Sequence, residues 1–342
     1  MLLYRSNNIR RQSRPRIAVT IGDPFGVGPE IVLKTLASRK LRGLADFIIV
    51  GDSSVVSAAL RLPGVPPASP RGISVVDPHI IAPSEVKFGR QSRLSGEASL
   101  AYLDFALRLI KEKKADCLVN APLSKEAVSS AFPRINFIGH TEYIADKFKT
   151  ADFAMMLIGG PLKVTLVTRH IPVRAVSKAV TKEEIIKAIR LSHEALSGYF
   201  GIAEPRIGVA SLNPHGGEGG KIGTEEIEII TPAVNEAKRH FKNITGPVSS
   251  EALFYMAYRR KLDCVVAMYH DQGLTPLKMI ARDTSINITL GLPFVRTSPG
   301  HGTAFDIAGK GIADPGPLTE SVKLAVDIFR KKKGRTCLPR PN

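Results

Sequence analysis

The stretch Ile207–Gly223, IGVASLNPHGGEGGKIG, runs from an apolar segment through a proline into a glycine-dense loop. Ile207–Leu212 reads as a buried strand, and the loop that opens at Pro214 carries His215 and Glu218. The residues that follow, TEEIEIITPAVNEAKRH, predict a helix with Thr224 as its N-cap and Glu225 and Glu226 in the first turn. A strand, a histidine at its C-terminal end, a loop whose backbone can approach a ligand and then a helix is how open α/β sheets place ligands. The fold class this predicts is α/β.

Two further apolar runs end the same way. Lys163–Thr168 leads to His170, and Asp263–Met268 leads to His270. A lone strand-end histidine is ordinarily a hydrogen-bonded structural residue. Three of them on neighbouring parallel strands can converge, and three neutral imidazoles with open positions make a catalytic divalent-metal site. Lys278, Asn287 and Arg296 follow, the set a phosphorylated or carboxylated substrate would need. Lys278 and Arg296 also read as surface charge, a reading weaker for Asn287 and Arg296 because they lie in or beside apolar strands. His140 and Thr141, in Gly139-His-Thr-Glu142, open a helical stretch. They suit either an anion at a helix N-terminus or an ordinary threonine cap beside an exposed histidine.

Elsewhere the pattern is alternating strand and helix. Arg16–Ile21 reads as a first strand running into GDPFGVGPE (22–30), with Pro29 opening a helix. That spacing is neither the GxGxxG fingerprint nor a Walker loop, so a Rossmann site is excluded here. Phe47–Val50, Ile73–Val76, Asp116–Asn120 and Ile286–Leu290 read as strands, and Gly96–Lys113 as a helix. Ala154–Ile158 and Lys163–Thr168 predict a hairpin around Gly159-Gly160. Ser124-Lys125 reads as a helix start in preference to a nucleophile with its base, and Thr181 with Glu184 as a capping box.

Composition narrows the class. The chain has 342 residues, 44% hydrophobic and 23% charged, which is globular and large enough for two domains. No apolar run approaches the roughly 18 residues of a membrane span, and no signal-peptide core follows the start. Cys117, Cys264 and Cys337 lie far apart, which suits a reducing, cytoplasmic protein. Of the net charge of +17, eleven charges fall in residues 1–16 and 330–342. These read as solvated basic termini; apart from Tyr4 they lack the interleaved aromatics of a nucleic-acid surface, so neither nucleic acid nor membrane is an expected partner.

Taken together, GDPFGVGPE (22–30), GHTE (139–142), LNPHGGEGG (212–220), GTEEI (223–227), AMYHDQGL (267–274), NITLGLPFVRTS (287–298) and HGTAFDIAGKGIADP (301–315) resemble the 4-hydroxythreonine-4-phosphate dehydrogenase family of pyridoxal phosphate biosynthesis. The resemblance covers roughly residues 16–330, in order. The last stretch is also similar to the adenosine-binding segment of isopropylmalate and isocitrate dehydrogenases. The resemblance implies their three-layer αβα, two-domain fold and a non-Rossmann NAD site. The expected units are a basic extension over 1–15, a first domain of 16–135 plus 288–330, a second of 136–287 and a basic tail over 331–342.

Carried over by motif, His170, His215 and His270 would hold one divalent metal, whether zinc, magnesium, manganese or cobalt. His140, Thr141, Lys278, Asn287 and Arg296 would contact substrate. His301, Gly302, Gly309 and Gly311 would lie by NAD, with NADP the other candidate. Lys278 and Asp271 are candidates for proton transfer. The family is a homodimer whose site lies at the subunit interface, one metal histidine coming from the partner.

The implied reaction oxidises and decarboxylates 4-phosphohydroxy-L-threonine to 3-amino-2-oxopropyl phosphate. D-threonate or D-erythronate 4-phosphate is the closest alternative substrate, and a non-catalytic phosphate-ligand or RNA-binding protein the remote one. Gly300-His301-Gly302 departs from the family's Asp-His-Gly, Ser-Ser-Glu251-Ala from its PADT-like segment, and Asn120–Lys125 from TGPVHK. These put substrate choice in question rather than activity.

Overall fold

Strands form where four to six apolar or β-branched residues run together. They are β1 (Arg16–Thr20), β2 (Asp46–Val50), β3 (Ile73–Val76), β4 (Cys117–Asn120), β5 (Ala154–Gly159) and β6 (Leu162–Leu166). Then come β7 (Ile207–Ala210), β8 (Ile244–Val248), β9 (Cys264–Ala267), β10 (Ile286–Leu290) and β11 (Val295–Pro299). The computed structural model describes residues 14–41, 43–66 and 73–336. Most of the expected N-terminal extension, residues 42 and 67–72, and the last six residues with Cys337 lie outside them.

All eleven strands join one sheet in the order β3-β2-β1-β4-β11-β10-β5-β6-β9-β7-β8. The wings are parallel and the centre, β11-β10-β5-β6, is antiparallel. Side chains alternate across a strand, and β5 divides accordingly. Ala154 and Met156 join the core that contains helix Lys182–Ala195, whereas Met155 and Leu157 join a second core with Leu277 of helix His270–Ala281. Helices therefore cover both faces, giving the expected three-layer arrangement. Full burial of Ile17, Ala18 and Val19 follows, because a doubly covered strand has no polar face.

The predicted β5–β6 hairpin is present, and β6, β9 and β7 lie side by side in parallel as the histidine argument requires. Ser124 caps helix Lys125–Ala131, and Thr181 accepts from the Glu184 amide. The helix expected over Gly96–Lys113 begins earlier, at Arg93, because Ser92 accepts from the Ser95 amide. The helix after Thr224 opens in a π-turn over Glu226–Ile230. The C-terminal basic segment is not frayed at its start: helix Gly316–Thr336 carries through it. Of the two expected domain boundaries, 135/136 falls between helices Lys125–Ala131 and His140–Lys147, and 287/288 falls inside β10. Among the described residues no helix is long and apolar enough to cross a membrane.

The first glycine-rich motif, whose Val27 lines a groove shared with the segment 301–315, owes one of its glycines to packing. A Cβ at Gly28 would stand 1.9 Å from the Ile21 carbonyl oxygen, so glycine there lets helix Gly28–Ala37 pack against its own strand. That helix then holds the segment 301–315. Glu30, 1% exposed, accepts from the amides of Gly311 (3.2 Å) and Ala313 (2.8 Å) and from Lys34 Nζ (2.8 Å). Lys34 in turn donates to the carbonyls of Gly311 and Ala313. Glu30→Ala leaves a largely buried ammonium and two amides without their acceptor, and is expected to cost about 3–5 kcal/mol in urea unfolding. A loss under about 1 kcal/mol would mean the network contributes little.

Asp23, in the preceding turn, is fully buried and accepts from the Phe25 amide (3.0 Å) and Ser95 Oγ (3.1 Å). Desolvation outweighs these bonds and pushes its carboxyl up to about 6. The native state thus binds this proton more tightly than the unfolded chain. The resulting stability is present below the unfolded value near 4 and is lost as pH rises through about 6. Asp23→Asn should therefore gain on wild type by about 3 kcal/mol between pH 4 and pH 7. Parallel urea midpoints across that range would exclude the effect.

Candidate active site

A cleft of about 250 Å³ lies over one face of the central antiparallel strands. Leu157 of β5, Asn287 of β10 and Ser298 of β11 sit opposite one another in register, and Arg296, two residues before Ser298, shares their face. Helix His140–Lys147 presents His140 and Thr141 on one side, and helix His270–Ala281 closes the other with His270 and Leu274. The end of β4 adds Asn120, and the helix after it adds Lys125.

Arg296 is 1% exposed, which overturns its reading as surface charge. Its guanidinium donates only to neutral acceptors, Nε to Asn120 Oδ1 (2.9 Å) and Nη1 to Thr289 Oγ1 (3.2 Å). Burial pushes its pKa down to about 10, so it stays charged at neutral pH. Thr141 is buried too, its hydroxyl 3.4 Å from that of Thr289. His140 is partly buried, not exposed. Burial, then the nearby Arg296 and Lys125 cations, push its pKa well below the usual range, which keeps the ring neutral. Asn287 Oδ1 is buried and has no partner. These groups form a cationic pocket in which, among the described residues, Arg296 makes no direct ion pair; the Glu142 carboxylate acts on it from farther off and is itself paired with Arg169, which leaves the pocket suited to an anionic substrate group.

His170 and His270 meet at the cleft with ring centroids 5.7 Å apart. His215 does not join them; its side chain is 72% exposed. It sits in a loop where six successive residues, His215 to Gly220, take positive φ. Among the described residues no three His, Cys, Asp or Glu side chains cluster to hold a metal ion. Each histidine nevertheless has Nδ1 turned to a carboxylate: His270 to Asp271 (2.6 Å), His215 to Glu218 (2.8 Å) and His170 to Glu142 (3.6 Å). A carboxylate on Nδ1 fixes the ring and leaves Nε2 free, the usual surroundings of a metal-binding histidine. The donor chemistry of His170 and His270 fits a divalent metal, and the described residues of the cleft offer no third ligand beside them. Glu142 also pairs with Arg169 (3.1 Å). Its burial raises the carboxyl, but His170 and Arg169 bring it down to about 2.

Asp271 is therefore engaged with His270, and its side chain is 76% exposed. Lys278 lies in a neighbouring groove of about 800 Å³, donating to Ser285 Oγ (2.6 Å) and to the Gly300 carbonyl. Burial lowers its pKa. That groove is also lined by Arg282, Asp283, His301, Gly302, Ile307 and Asp314. Gly309 and Gly311 do not line it. Each has positive φ, and a Cβ at Gly311 would stand 1.8 Å from the Pro63 carbonyl oxygen, so these glycines close a turn.

Sequence reasoning missed Lys125, Asn120 and Glu142. Lys125 reaches the cleft with its pKa lowered by burial. Its signal was available, because it follows the end of a fully buried strand just as the histidines do.

A family profile for pyridoxal phosphate biosynthetic protein PdxA matches residues 43–325. A 4-hydroxythreonine-4-phosphate dehydrogenase of Sulfurihydrogenibium sp. is 40% identical, over 93% of this chain and 99% of its own. A D-threonate 4-phosphate dehydrogenase of Cupriavidus necator is 38% identical over 93% and 98%. The crystal structure of 4-hydroxythreonine-4-phosphate dehydrogenase from Klebsiella pneumoniae superposes with a TM-score of 0.78 at 36% identity, covering 92% of this chain and 99% of that one. Isocitrate dehydrogenase from Methylococcus capsulatus, 14% identical with a TM-score of 0.50 over 94% of this chain and 88% of its own, shares the fold alone.

Proposed function

The chain belongs to the pyridoxal phosphate biosynthetic protein PdxA family, and from that premise we propose that it oxidises and decarboxylates 4-phosphohydroxy-L-threonine with NAD. The product is 3-amino-2-oxopropyl phosphate, a precursor of pyridoxal 5'-phosphate. The observation that carries this reading is Arg296: a fully buried cation without a carboxylate partner, in the same cleft as two carboxylate-oriented histidines.

The phosphate binds against Arg296, with His140 and Thr141 beside it at the start of their helix and Asn287 fixing the substrate across β10. Lys125 adds positive charge at the mouth. His170 and His270 offer Nε2 to a divalent metal, held in place by Glu142 and Asp271. A bound metal supplies Lewis-acid polarisation of the substrate hydroxyl and of the charge left as CO₂ departs, and NAD supplies the hydride acceptor. The groove formed by Val27 and Ile31 with Lys278, His301 and Asp314 takes the dinucleotide. The enzyme works as a homodimer in the cytoplasm, a compartment that suits the buried free thiols of Cys117 and Cys264.

The test is NADH formation from 4-phosphohydroxy-L-threonine, D-threonate 4-phosphate and D-erythronate 4-phosphate, each with and without EDTA. Turnover of the first, abolished by chelation and restored by divalent metal, is expected. Turnover of a threonate or erythronate compound alone would move the chain to the activity its Cupriavidus relative is named for. No NADH from any of them overturns the reading.

A further inference from the structure

Hydrogen bonds run side chain to side chain across four adjacent strands, β1, β4, β11 and β10. Thr20 and Asn120 stand opposite each other in register, and Asn120 Nδ2 donates to Thr20 Oγ1 (3.3 Å). Asn120 Oδ1 accepts from Arg296 Nε (2.9 Å), and Arg296 Nη1 donates to Thr289 Oγ1 (3.2 Å). All four side chains are buried, and Asn120 and Arg296 line the cleft. The third guanidinium nitrogen, Nη2, donates to none of the described residues. A polar row among apolar strands loses hydration that neutral hydrogen bonds only partly replace, so packing alone does not favour it. What it supplies is orientation. Bonds to two different strands, one at Nε and one at Nη1, fix the plane of a long, rotamer-rich side chain. Thr20 fixes the Asn120 amide in turn: arginine only donates, so Oδ1 must face it, and Nδ2 then needs an acceptor on its other side.

We propose that Asn120 is the positioning residue of the anion site, holding Arg296 through a neutral oxygen that leaves the cation's charge for a ligand phosphate. The assignment rests on reading Arg296 as the group that receives the substrate phosphate. Neutrality is the operative property. A carboxylate at this position would take the same Nε bond in charge-assisted form, and Arg296 would then have an internal anion competing with the ligand. Glu142, the carboxylate that acts on Arg296 from farther off, is itself paired with Arg169 and does not occupy that place. Asn120 opens the segment that departs from the TGPVHK pattern, so this chain meets the requirement with an amide where that pattern has a threonine hydroxyl. Both are short neutral acceptors.

The test measures inorganic phosphate binding by calorimetry, with melting temperature as the check on folding, in the full-length protein and in Asn120→Asp, Asn120→Ala and Asn120→Thr. The Asp variant should bind phosphate at least about tenfold more weakly, because its carboxylate engages Arg296. The Ala variant, which loses the tether, should weaken by about three- to tenfold, and Thr, which restores a neutral acceptor, should recover most of that loss. Substrate KM should follow phosphate affinity while kcat stays within about threefold. A merely structural Asn120 would lower the melting temperature and leave the phosphate affinity of the folded protein unchanged. Affinity within about threefold of wild type in the Asp variant overturns the proposal, as does a Thr variant no better than Ala. If the Asp variant does not fold, the Ala and Thr pair decides. Arg296→Met, measured alongside, must itself lose phosphate; if it does not, the premise fails and the proposal with it. Phosphate binding needs no turnover, so an absence of NADH from every substrate would overturn the proposed reaction and leave this result readable.

Discussion

Arg296→Met is expected to lower kcat/KM by about 10²–10³-fold, the range for removing one partner of a buried charge-assisted contact. The protein should remain folded. Arg296 is buried with only neutral hydrogen-bond acceptors, and the Glu142 carboxylate compensates its charge in part from a distance, so the guanidinium is short of a direct anionic partner until an anion binds. Its pKa, pushed down to about 10, records that desolvation and still leaves the charge intact during catalysis. An apolar side chain of similar length removes a desolvated charge and breaks no ion pair at contact distance, so thermal stability should hold or rise. The diagnostic result is opposite movement: activity collapses while the melting temperature does not. Inhibition by inorganic phosphate should weaken in the same variant. A large fall in stability with kcat/KM preserved would instead make Arg296 a structural tie between β4 and β11, through Asn120.

The fold was legible because its elements are written locally. Apolar runs ended by His170, His215 and His270 marked three strands, and the sheet places those strands side by side in parallel. Helix starts at Ser124 and Thr181 were legible for the same reason, since a cap needs only a side chain and an amide three residues on. The burial of Arg296 and of Asn287 Oδ1 was legible, because polar groups in or beside apolar strands are costly to leave unpaired. The site was not legible where a role depends on which space a side chain enters. Lys278 and Lys125 look alike in sequence. The structure puts Lys278 in the groove lined by Arg282, His301 and Asp314, bound to Ser285 and Gly300, and Lys125 in the cleft that holds Arg296. Glu142 and Asp271 were hidden differently: their part is to orient His170 and His270, a relation between neighbours that no spacing rule announces.

His215→Ala and His270→Ala homodimers should each be nearly inactive, losing at least about 10²-fold in kcat, as expected when a ligand of a catalytic metal is removed. When both variants are expressed together, activity should return. His170 and His270 share one cleft, whereas His215 is exposed on a loop outside it. If the third ligand of each site comes from the partner subunit, a mixed dimer pairs one protomer's intact His170 and His270 with the other's intact His215. The second site of that dimer lacks both altered residues. Random pairing makes half the dimers mixed, each with one working site, so recovery should approach about a quarter of wild type. Zinc content should follow the same proportion. A co-expressed mixture as inactive as its parents would place all three histidines in one chain, which would require the loop around His215 to swing onto His270 within a single protomer.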